Sequence, residues 1–241
     1  PLLQTYFTMD FNRNRRILTC KGWNSSRCNR FLFNSWEKEE QMLSRYCGCG
    51  SIPFFPKIIH SQIPVYLVTF RRHGTPTKWN CPFDCIFCTV PTLFGKTFRK
   101  RSIESVILEI RQVLLQGYKE IFIRDENLTL DKKYLKNLCN EIINENLKFT
   151  WICNSRVDTV DYDLLKLMKK SGCHLIKFGV ESGNQKTLNL LRKGITLLQI
   201  KNTFRICKKI SIDTLGHFMI GSPGETRNDI LNTIKFAIDL D

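Results

Sequence analysis

The sequence has no long apolar run and no recognisable secretory signal. The absence of a stretch of about 18 or more apolar residues argues against a transmembrane helix and against a membrane partner. Residues 1–5 lack the basic region, apolar stretch and small-residue cleavage site of a signal peptide. An initiator Met is also missing and the chain stops inside a helical pattern, so we expect a fragment, whose lost start could have carried a signal.

Acidic residues are few relative to basic ones, because 22 Asp and Glu stand against 37 Lys and Arg, for a net charge of +15. A basic surface can attract nucleic acid or other anions. Aromatic residues are not interleaved with a local basic cluster, which favours a composition bias on solvated faces instead. Nucleic acid therefore stays open as a partner, beside small-molecule and macromolecular substrates.

Cysteine is abundant, with 11 residues in a long chain that shows no secretion signal. Metal ligation in a reducing cytoplasm explains this count better than disulfides do. Four cysteines stand singly in apolar surroundings and are predicted to be small buried hydrophobic residues: Cys139, Cys153, Cys173 and Cys207.

Four further cysteines near the start have a spacing that fits no familiar ligand pattern: Cys20, Cys28, Cys47 and Cys49. An auxiliary cluster or a zinc site there is one interpretation, and cysteines without metal are the other. The isolated His60 and His73 are interpreted as solvent-facing or hydrogen-bonded residues rather than ligands.

The length of 241 residues suits one large domain, or one domain with an extension. We assign no fold to residues 1–62, where only 35–46 reads as a helix. Pro53, Pro56 and, just beyond this range, Pro64 break any long element. From residue 63 onward, strands and helices alternate five times. Strands are predicted at 63–70, 120–124, 149–153, 175–180 and 214–220. Helices are predicted after Ser102 as far as Gly117, and at 131–145, 161–170, 184–192, 197–209 and 226–240.

Five strand–helix units predict an α/β fold with parallel strands joined by right-handed crossovers. They do not close an eight-fold barrel, so we expect an open or partial barrel, or a truncated one. In either arrangement, functional groups gather at the carboxyl ends of the strands.

One loop directly after the first of these strands carries three cysteines in the spacing C-x3-C-x2-C: Cys81, Cys85 and Cys88. Three thiolates on a short loop suit a 4Fe–4S cluster that keeps one iron free of protein, whereas a fourth thiolate would close it. Structural zinc is the alternative. It prefers four protein ligands, and no partner C-x2-C or H-x3-H follows.

This loop resembles the signature of radical S-adenosylmethionine (radical SAM) enzymes, and the resemblance extends over residues 63–241. It implies a partial (β/α)6 barrel, here truncated after the fifth unit, as a core domain at 63–241 behind an N-terminal segment at 1–62. It also implies that Cys81, Cys85 and Cys88 hold the cluster that starts catalysis.

The resemblance also marks segments at the ends of the later strands as contacts for S-adenosylmethionine. They are Phe87 beside the adenine, Asp125-Glu126-Asn127 after the second strand, Asn154-Ser155-Arg156 after the third, Gly179-Val180-Glu181-Ser182-Gly183 after the fourth, and Gly221-Ser222-Pro223-Gly224-Glu225-Thr226 after the fifth.

Each segment also has a structural interpretation. Gly221 to Gly224 alone would be an ordinary turn, and Asp125 and Glu126 could cap the helix that follows. Arg156 could grip a ligand carboxylate bidentately, or pair with Asp158. Lys193 could bind the carboxylate of S-adenosylmethionine, or lie solvated at a helix end.

The strand-end segments together resemble the cobalamin-dependent subgroup of methylases and cyclases. That subgroup implies cobalamin as a further cofactor, but residues 1–62 contain no D-x-H-x-x-G loop. Methylthiotransferases that act on transfer RNA are the alternative within the family. A non-catalytic metal- or nucleic-acid-binding module is the alternative outside it.

The activity implied by the resemblance is reductive cleavage of S-adenosylmethionine to methionine and a 5′-deoxyadenosyl radical, which abstracts a hydrogen atom from the substrate. It implies a flavodoxin- or ferredoxin-type reductant and a cytoplasmic location. The protein binds and orients the cofactors and excludes water.

Overall fold

The computed structural model describes residues 5–12, 15–21, 29–33, 65–68, 81–90 and 101–240. They contain one eight-stranded sheet with the spatial order β3-β2-β1-β8-β7-β6-β5-β4. The strands are β1 (Thr5–Asn12), β2 (Arg15–Lys21), β3 (Asn29–Phe33), β4 (Val65–Val68), β5 (Glu120–Ile123), β6 (Thr150–Ser155), β7 (Cys173–Glu181) and β8 (Asp213–Ile220).

Strands β4 to β8 are parallel, and each lies beside its neighbour in sequence. Right-handed crossovers between strands in this order place the connecting helices on the same face of the sheet. This arrangement is that of a barrel wall. The α/β fold with a partial barrel is therefore confirmed.

Six α-helices lie within the described residues: α1 (Ile103–Leu115), α2 (Lys132–Asn144), α3 (Tyr162–Lys170), α4 (Gln185–Leu190), α5 (Leu197–Lys209) and α6 (Arg227–Asp239). Their first turns are fixed by short polar side chains that accept from backbone N–H groups, as Ser102 does before α1 and Asp131 before α2. Thr196 and Thr226 form capping boxes at α5 and α6. None of the described helices has the length and apolar character needed to cross a membrane.

One apolar core lies between these helices and one face of the sheet. All six helices contribute side chains to it, together with strand residues such as Ile121, Trp151, Phe178 and Phe218. The predicted buried cysteines are confirmed, since Cys139, Cys153, Cys173 and Cys207 are at most 1% exposed. Alternation along a strand sends every second side chain to the opposite face, which we call the inner face.

The inner face of β5 to β8 contributes nothing to this core. It carries Phe122, Ile152, Asn154, Leu175, Lys177, Gly179, Leu215 and His217, and none of these side chains belongs to the helix-covered cluster. The sheet therefore has one face built for packing against helices and another of mixed polarity.

The sequence pattern does not indicate the three strands near the start, β1, β2 and β3. Strands β1, β2 and β3 pair antiparallel with one another, and β1 pairs antiparallel with β8. The prediction of a helix at 35–46 lies outside the described residues. The division of the chain into a segment at 1–62 and a core domain at 63–241 stays a prediction.

Candidate active site

The cysteine loop lies against the carboxyl ends of the parallel strands. The backbone N–H of Ile86 donates to the carbonyl of Leu191, just after α4, at 3.2 Å. A second link runs from Arg156 Nη1, after β6, to the sulfur of Cys85 at 3.7 Å. The loop is thus attached to the end of β6 and to the segment after α4, while its role as a cluster site stays a prediction.

The three loop cysteines are free thiols at different depths. Cys85 is buried at 9% exposure, whereas Cys81 and Cys88 are half-buried. Burial raises the pKa of the Cys81 thiol, and negative charge on Cys85 and Cys88 raises it as well. A hydrogen bond with the Phe83 backbone and the positive charge of Arg156 lower this pKa. The three sulfurs are therefore electrostatic neighbours, and bound iron would relieve their mutual repulsion as thiolates.

Arg156 holds the cysteine loop in place through several contacts. Its guanidinium donates bidentately to Asp158, with Nε–Oδ1 at 2.9 Å and Nη2–Oδ2 at 2.8 Å. Nη2 also donates to the carbonyl of Lys193 at 2.6 Å, and the guanidinium carbon lies 3.6 Å from the centre of the Phe83 ring. Arg156 is thus engaged with Asp158 and the loop, and its role as a contact for S-adenosylmethionine stays a prediction.

Glu181 ends strand β7 in a left-handed backbone conformation, with φ of 71°. This turn brings its carboxylate over the inner face, where Oε1 accepts from Lys193 Nζ at 2.8 Å. Both side chains are buried, so the interpretation of Lys193 as a solvated helix-end residue is wrong. The Lys193 ammonium also lies 5.8 Å from the centre of the Phe87 ring, which places the pair beside the cysteine loop.

Gly179 makes room for this ion pair. A Cβ at Gly179 would lie 2.5 Å from Glu181 Oε1 and 2.8 Å from Lys193 Nζ. The absence of a side chain therefore lets two charged groups approach the strand closely. The function of the glycine is local space for the pair, with no positive φ required.

Ser182 and Gly183 attach the end of β7 to helix α6. The fully buried Ser182 hydroxyl lies 3.0 Å from Thr233 Oγ1, and Gly183 N–H donates to the same oxygen at 3.1 Å. A Cβ at Gly183 would lie 2.5 Å from Phe236 Cβ. These contacts give both residues a packing role, while the prediction that Ser182 contacts the cofactor is untested.

The segment after β5 contains a buried polar network. Asn127 Oδ1 accepts from the hydroxyls of Thr129 and Thr159 and from the Arg156 N–H. The interpretation of Asp125 and Glu126 as caps of the following helix is wrong, because Asp131 caps α2. Asp125 Oδ1 instead accepts from the Glu126 N–H at 2.9 Å, and the Asp125 carbonyl accepts from Asn154 at 2.9 Å.

The segment after β8 is a turn with two left-handed glycines, Gly221 at φ of 83° and Gly224 at φ of 79°. Glu225 Oε2 accepts from the Ser222 N–H at 2.7 Å. Burial raises the pKa of Glu225, while hydrogen bonds from Ser222 and Gly221 lower it. Pro223 is exposed, so its predicted cofactor contact would lie at the rim of the site.

Buried polar atoms without a partner mark these same strand ends. Within the described residues they include Asn127 Nδ2 after β5, and Ser222 Oγ and Glu225 Oε1 after β8. Such atoms are costly unless a ligand or water satisfies them. A polar ligand lying across the carboxyl ends of β5 to β8 fits this arrangement, and S-adenosylmethionine offers the amino, carboxylate and hydroxyl groups required.

The same geometry bears on the zinc alternative. In residues 81–90 and 101–240, no three His, Cys, Asp or Glu side chains are placed to hold a single metal ion. Zinc needs all its sulfurs about 2.3 Å from one point, whereas an iron–sulfur cluster binds each thiolate at a different iron.

Two polar residues of the inner face are absent from the sequence-based site. Lys177 and His217 each interrupt an apolar strand run, in Leu175 to Val180 and in Leu215 to Ile220. The sequence signal that could have identified these two residues is a charged or titratable side chain in the middle of an apolar strand. The structure places both beside Gly179.

Comparisons with known proteins identify the family that the chain resembles. The model of the radical SAM superfamily matches residues 80–237. An uncharacterized methyltransferase from Pyrococcus horikoshii is 37% identical over 78% of this chain and 43% of its own length. The anaerobic magnesium-protoporphyrin IX monomethyl ester cyclase of Rubrivivax gelatinosus is 32% identical over 73% of this chain and 32% of its own.

Among solved structures, the radical S-adenosylmethionine methyltransferase TsrM from Kitasatospora setae, with cobalamin and a 4Fe–4S cluster bound, superposes with a TM-score of 0.63. Its identity is 21%, over 73% of this chain and 35% of that protein. This likeness concerns the fold. In each comparison the chain spans less than half of the matched protein.

Proposed function

Because the chain belongs to the radical SAM superfamily, we propose that it binds a 4Fe–4S cluster at Cys81, Cys85 and Cys88 and cleaves S-adenosylmethionine reductively. The observation that carries this proposal is the attachment of the three-cysteine loop to the end of β6 through Arg156 and to the end of α4 through Leu191. When bound, the reduced cluster supplies one electron that splits S-adenosylmethionine into methionine and a 5′-deoxyadenosyl radical.

The residues of the chain hold and orient the two cofactors. Arg156 keeps Cys85 in place and supplies positive charge beside it. The carboxylate of Glu181 is held by Lys193, and its second oxygen can accept from a ligand hydroxyl or ammonium. The proposed contacts for S-adenosylmethionine are Phe87, Asp125, Glu126, Arg156, Gly179, Glu181, Ser182, Gly221 and Pro223.

For the chemistry after radical formation we propose methylation or cyclisation. The support is that the matched relatives include a methyltransferase and a cyclase. Cobalamin is bound in the similar structure of TsrM and is proposed here as a further cofactor. A flavodoxin- or ferredoxin-type reductant completes the proposal. An oxygen-sensitive cluster also favours a reducing cytoplasm.

Cluster assembly is the first test. The full chain is reconstituted anaerobically with iron and sulfide, and iron, sulfide and visible absorbance are measured. We expect Cys85→Ala to lose the cluster, while the buried Cys207→Ala keeps it as a matched control. A wild-type protein that takes up a single zinc ion and shows no iron–sulfur absorbance contradicts the proposal.

Cofactor cleavage is the second test. The reduced, reconstituted protein is incubated with S-adenosylmethionine, and 5′-deoxyadenosine is quantified by chromatography. We expect the formation of 5′-deoxyadenosine to require both the cluster and Glu181. A protein that holds its cluster, leaves S-adenosylmethionine intact and binds RNA or DNA in a salt-dependent manner would be a non-catalytic module.

A further inference from the structure

Lysine recurs at each of the four places where a described helix leads into a parallel strand. It precedes β5, β6, β7 and β8 by one to five positions. Because the amino ends of parallel strands meet at one edge of the sheet, these lysines lie along a single edge. We call it the lysine edge, and its six side chains are all exposed: Lys119, Lys148, Lys169, Lys170, Lys208 and Lys209.

Contacts between neighbouring strands show that the lysine edge is continuous. The carbonyl of Lys119 accepts from the Thr150 N–H at 3.0 Å, which joins the starts of β5 and β6. Strands β6 and β7 are paired near their first residues. Lys169 Nζ donates to the Ser211 carbonyl at 2.5 Å, which joins the segments before β7 and β8. The six lysines are therefore neighbours in space, although the sequence spreads them over residues 119–209.

Most negative charge at the same edge is already engaged. Glu120 is hydrogen-bonded to His174 at 2.6 Å, and Glu145 is paired with Arg111 at 2.6 Å. Asp213 at the start of β8 is half-buried. None of the six lysines forms an ion pair with a carboxylate in the part of the chain that the structure describes. The edge therefore presents positive charge to the solvent.

Helix stability explains only part of this pattern. The lysines at the ends of α3 and α5 lie in the last turns of those helices, where a cation interacts favourably with the helix dipole. Lys119 and Lys148 lie beyond the ends of α1 and α2, and neither of these helices has a basic residue in its last turn. The dipole thus gives no reason for lysine at these two positions.

The apolar residues near the lysine edge are too few for a membrane-binding surface. Among the large apolar side chains that are exposed in the described residues, two lie near it. They are Leu115 at the end of α1, and Tyr162, whose ring centre is 5.8 Å from Lys209 Nζ. Membrane binding buries a broad apolar face in the lipid. A nucleic acid needs only the cations, and an exposed aromatic ring beside them suits stacking of a base.

We propose that the lysine edge binds the phosphodiester backbone of a nucleic acid. Lysine contacts to phosphates carry no sequence information, so binding is independent of sequence and weakens with salt. The cysteine loop lies at the opposite edge, and β7 with its nine residues separates the two edges by about 30 Å. The nucleic acid therefore anchors the protein without occupying the proposed cofactor site.

Binding is measured on the full chain by fluorescence anisotropy. The probes are a labelled single-stranded RNA and a labelled DNA duplex, each about 20 nucleotides or base pairs long, titrated between about 50 and 200 mM salt. The two probes share the phosphate chemistry and distinguish RNA from DNA as its source. We expect binding of at least one probe, with a logarithm of the association constant that falls linearly with the logarithm of the salt concentration.

Two fourfold variants provide the decisive comparison, because any basic protein attracts nucleic acid to some extent. The edge variant carries Lys169→Gln, Lys170→Gln, Lys208→Gln and Lys209→Gln. The control removes the same charge from exposed positions in the first halves of helices: Lys133→Gln, Lys136→Gln, Lys186→Gln and Arg227→Gln. We expect the edge variant to bind about tenfold or more weakly and to lose about 2 to 4 units of the salt slope, and the control to change little.

A second pair of substitutions avoids any loss of helix stability. Lys119→Gln with Lys148→Gln leaves the ends of α3 and α5 intact and should lower the salt slope by about 1 to 2 units. Replacing the four lysines of the edge variant with arginine should retain binding, because the positive charge is kept. Circular dichroism checks that each variant folds.

Three results overturn the proposal. They are equal losses of binding in the edge variant and the control, no binding of either probe at about 100 mM salt, and lysine-dependent binding to phosphatidylserine vesicles in place of nucleic acid. The proposal does not rest on the cofactor chemistry. We expect the edge variant to assemble its cluster and to form 5′-deoxyadenosine as the wild type does, so failure of that chemistry in both would overturn the proposed function alone.

Discussion

Arg156 is the residue through which strand β6 reaches the cysteine loop. Its charge is surrounded by Asp158, the Lys193 carbonyl, the Phe83 ring and the sulfur of Cys85. It is only 4% exposed. A buried cation beside a thiolate stabilises its negative charge. If Cys85 is a cluster ligand, as proposed, Arg156 should influence the electron affinity of the bound cluster.

Replacing this cation is predicted to change the reduction potential. Arg156→Gln removes positive charge that favours the reduced, more negative cluster. We therefore expect the potential to fall by roughly 60 mV, equal to about 1.4 kcal/mol for one electron. A redox titration followed by electron paramagnetic resonance measures it. Arg156→Lys should restore part of the difference, and the exposed Arg205→Gln is the control. An unchanged potential in Arg156→Gln would show that the residue acts only through packing.

Two glycines four residues apart are predicted to respond differently to alanine. At Gly179 the new methyl group meets the side-chain ends of Glu181 and Lys193, whereas at Gly183 it meets Phe236 Cβ and, at 2.8 Å, the backbone of Thr233. Gly183→Ala should thus destabilise the fold by about 1–3 kcal/mol, because helix α6 must move. Gly179→Ala should mainly weaken binding of S-adenosylmethionine.

Urea unfolding and calorimetric titration with S-adenosylmethionine separate these two effects. A large loss of unfolding free energy in Gly179→Ala, with cofactor affinity unchanged, would contradict the role given to the Glu181–Lys193 pair. The two variants serve as controls for one another, since each adds one methyl group at the end of the same strand.

At the scale of helices and strands, apolar spacing predicted the parallel part of the sheet. Runs such as Ile121 to Ile123 and the 3.6-residue period of α1 are local signals, and the structure confirms them. The pairing of β1 with β8 joins residues about 200 positions apart, which no local pattern contains. The partner of Arg156 was equally unreadable from local sequence. Whether its guanidinium pairs with Asp158 or with a ligand depends on which loop packs against it.

The buried thiols of the helix–sheet core predict sensitivity to alkali. Burial raises the pKa of Cys139 on α2 and of Cys207 on α5 from 9.0 to about 12. A thiol with a raised folded-state pKa stabilises the fold below pH 9, and this contribution is lost as pH rises toward 12. Each thiol should remove about 1.4 kcal/mol of unfolding free energy per pH unit in that window.

Anaerobic urea unfolding at about pH 8 and about pH 10 measures this loss. Cys139→Ala and Cys207→Ala should each lose less stability between the two conditions than the wild-type chain does. An equal loss in the wild type and both variants would assign the alkaline transition to other groups.

At the scale of the whole molecule, strands β1 to β3 are joined to the rest of the described sheet through one ladder, between β1 and β8. Strands β5 to β7 each have parallel neighbours on both sides and helices from their own crossovers. We expect β1 to β3 to exchange their amide hydrogens through a lower-energy opening than β5 to β7 do. Mass spectrometry of hydrogen exchange at low urea concentrations measures this. Equal opening energies would show a single cooperative unit.

The position of β1 also has a consequence for how the chain is made. Its partner β8 is synthesised about 200 residues later, whereas β4 to β8 meet through short, local crossovers. During translation, the edge of β1 that faces away from β2 therefore stays unpaired until β8 has been made. An unpaired strand edge can pair with a wrong strand. The arrival of β8 ends that exposure, so a strand of the parallel series also protects the antiparallel strands β1 to β3.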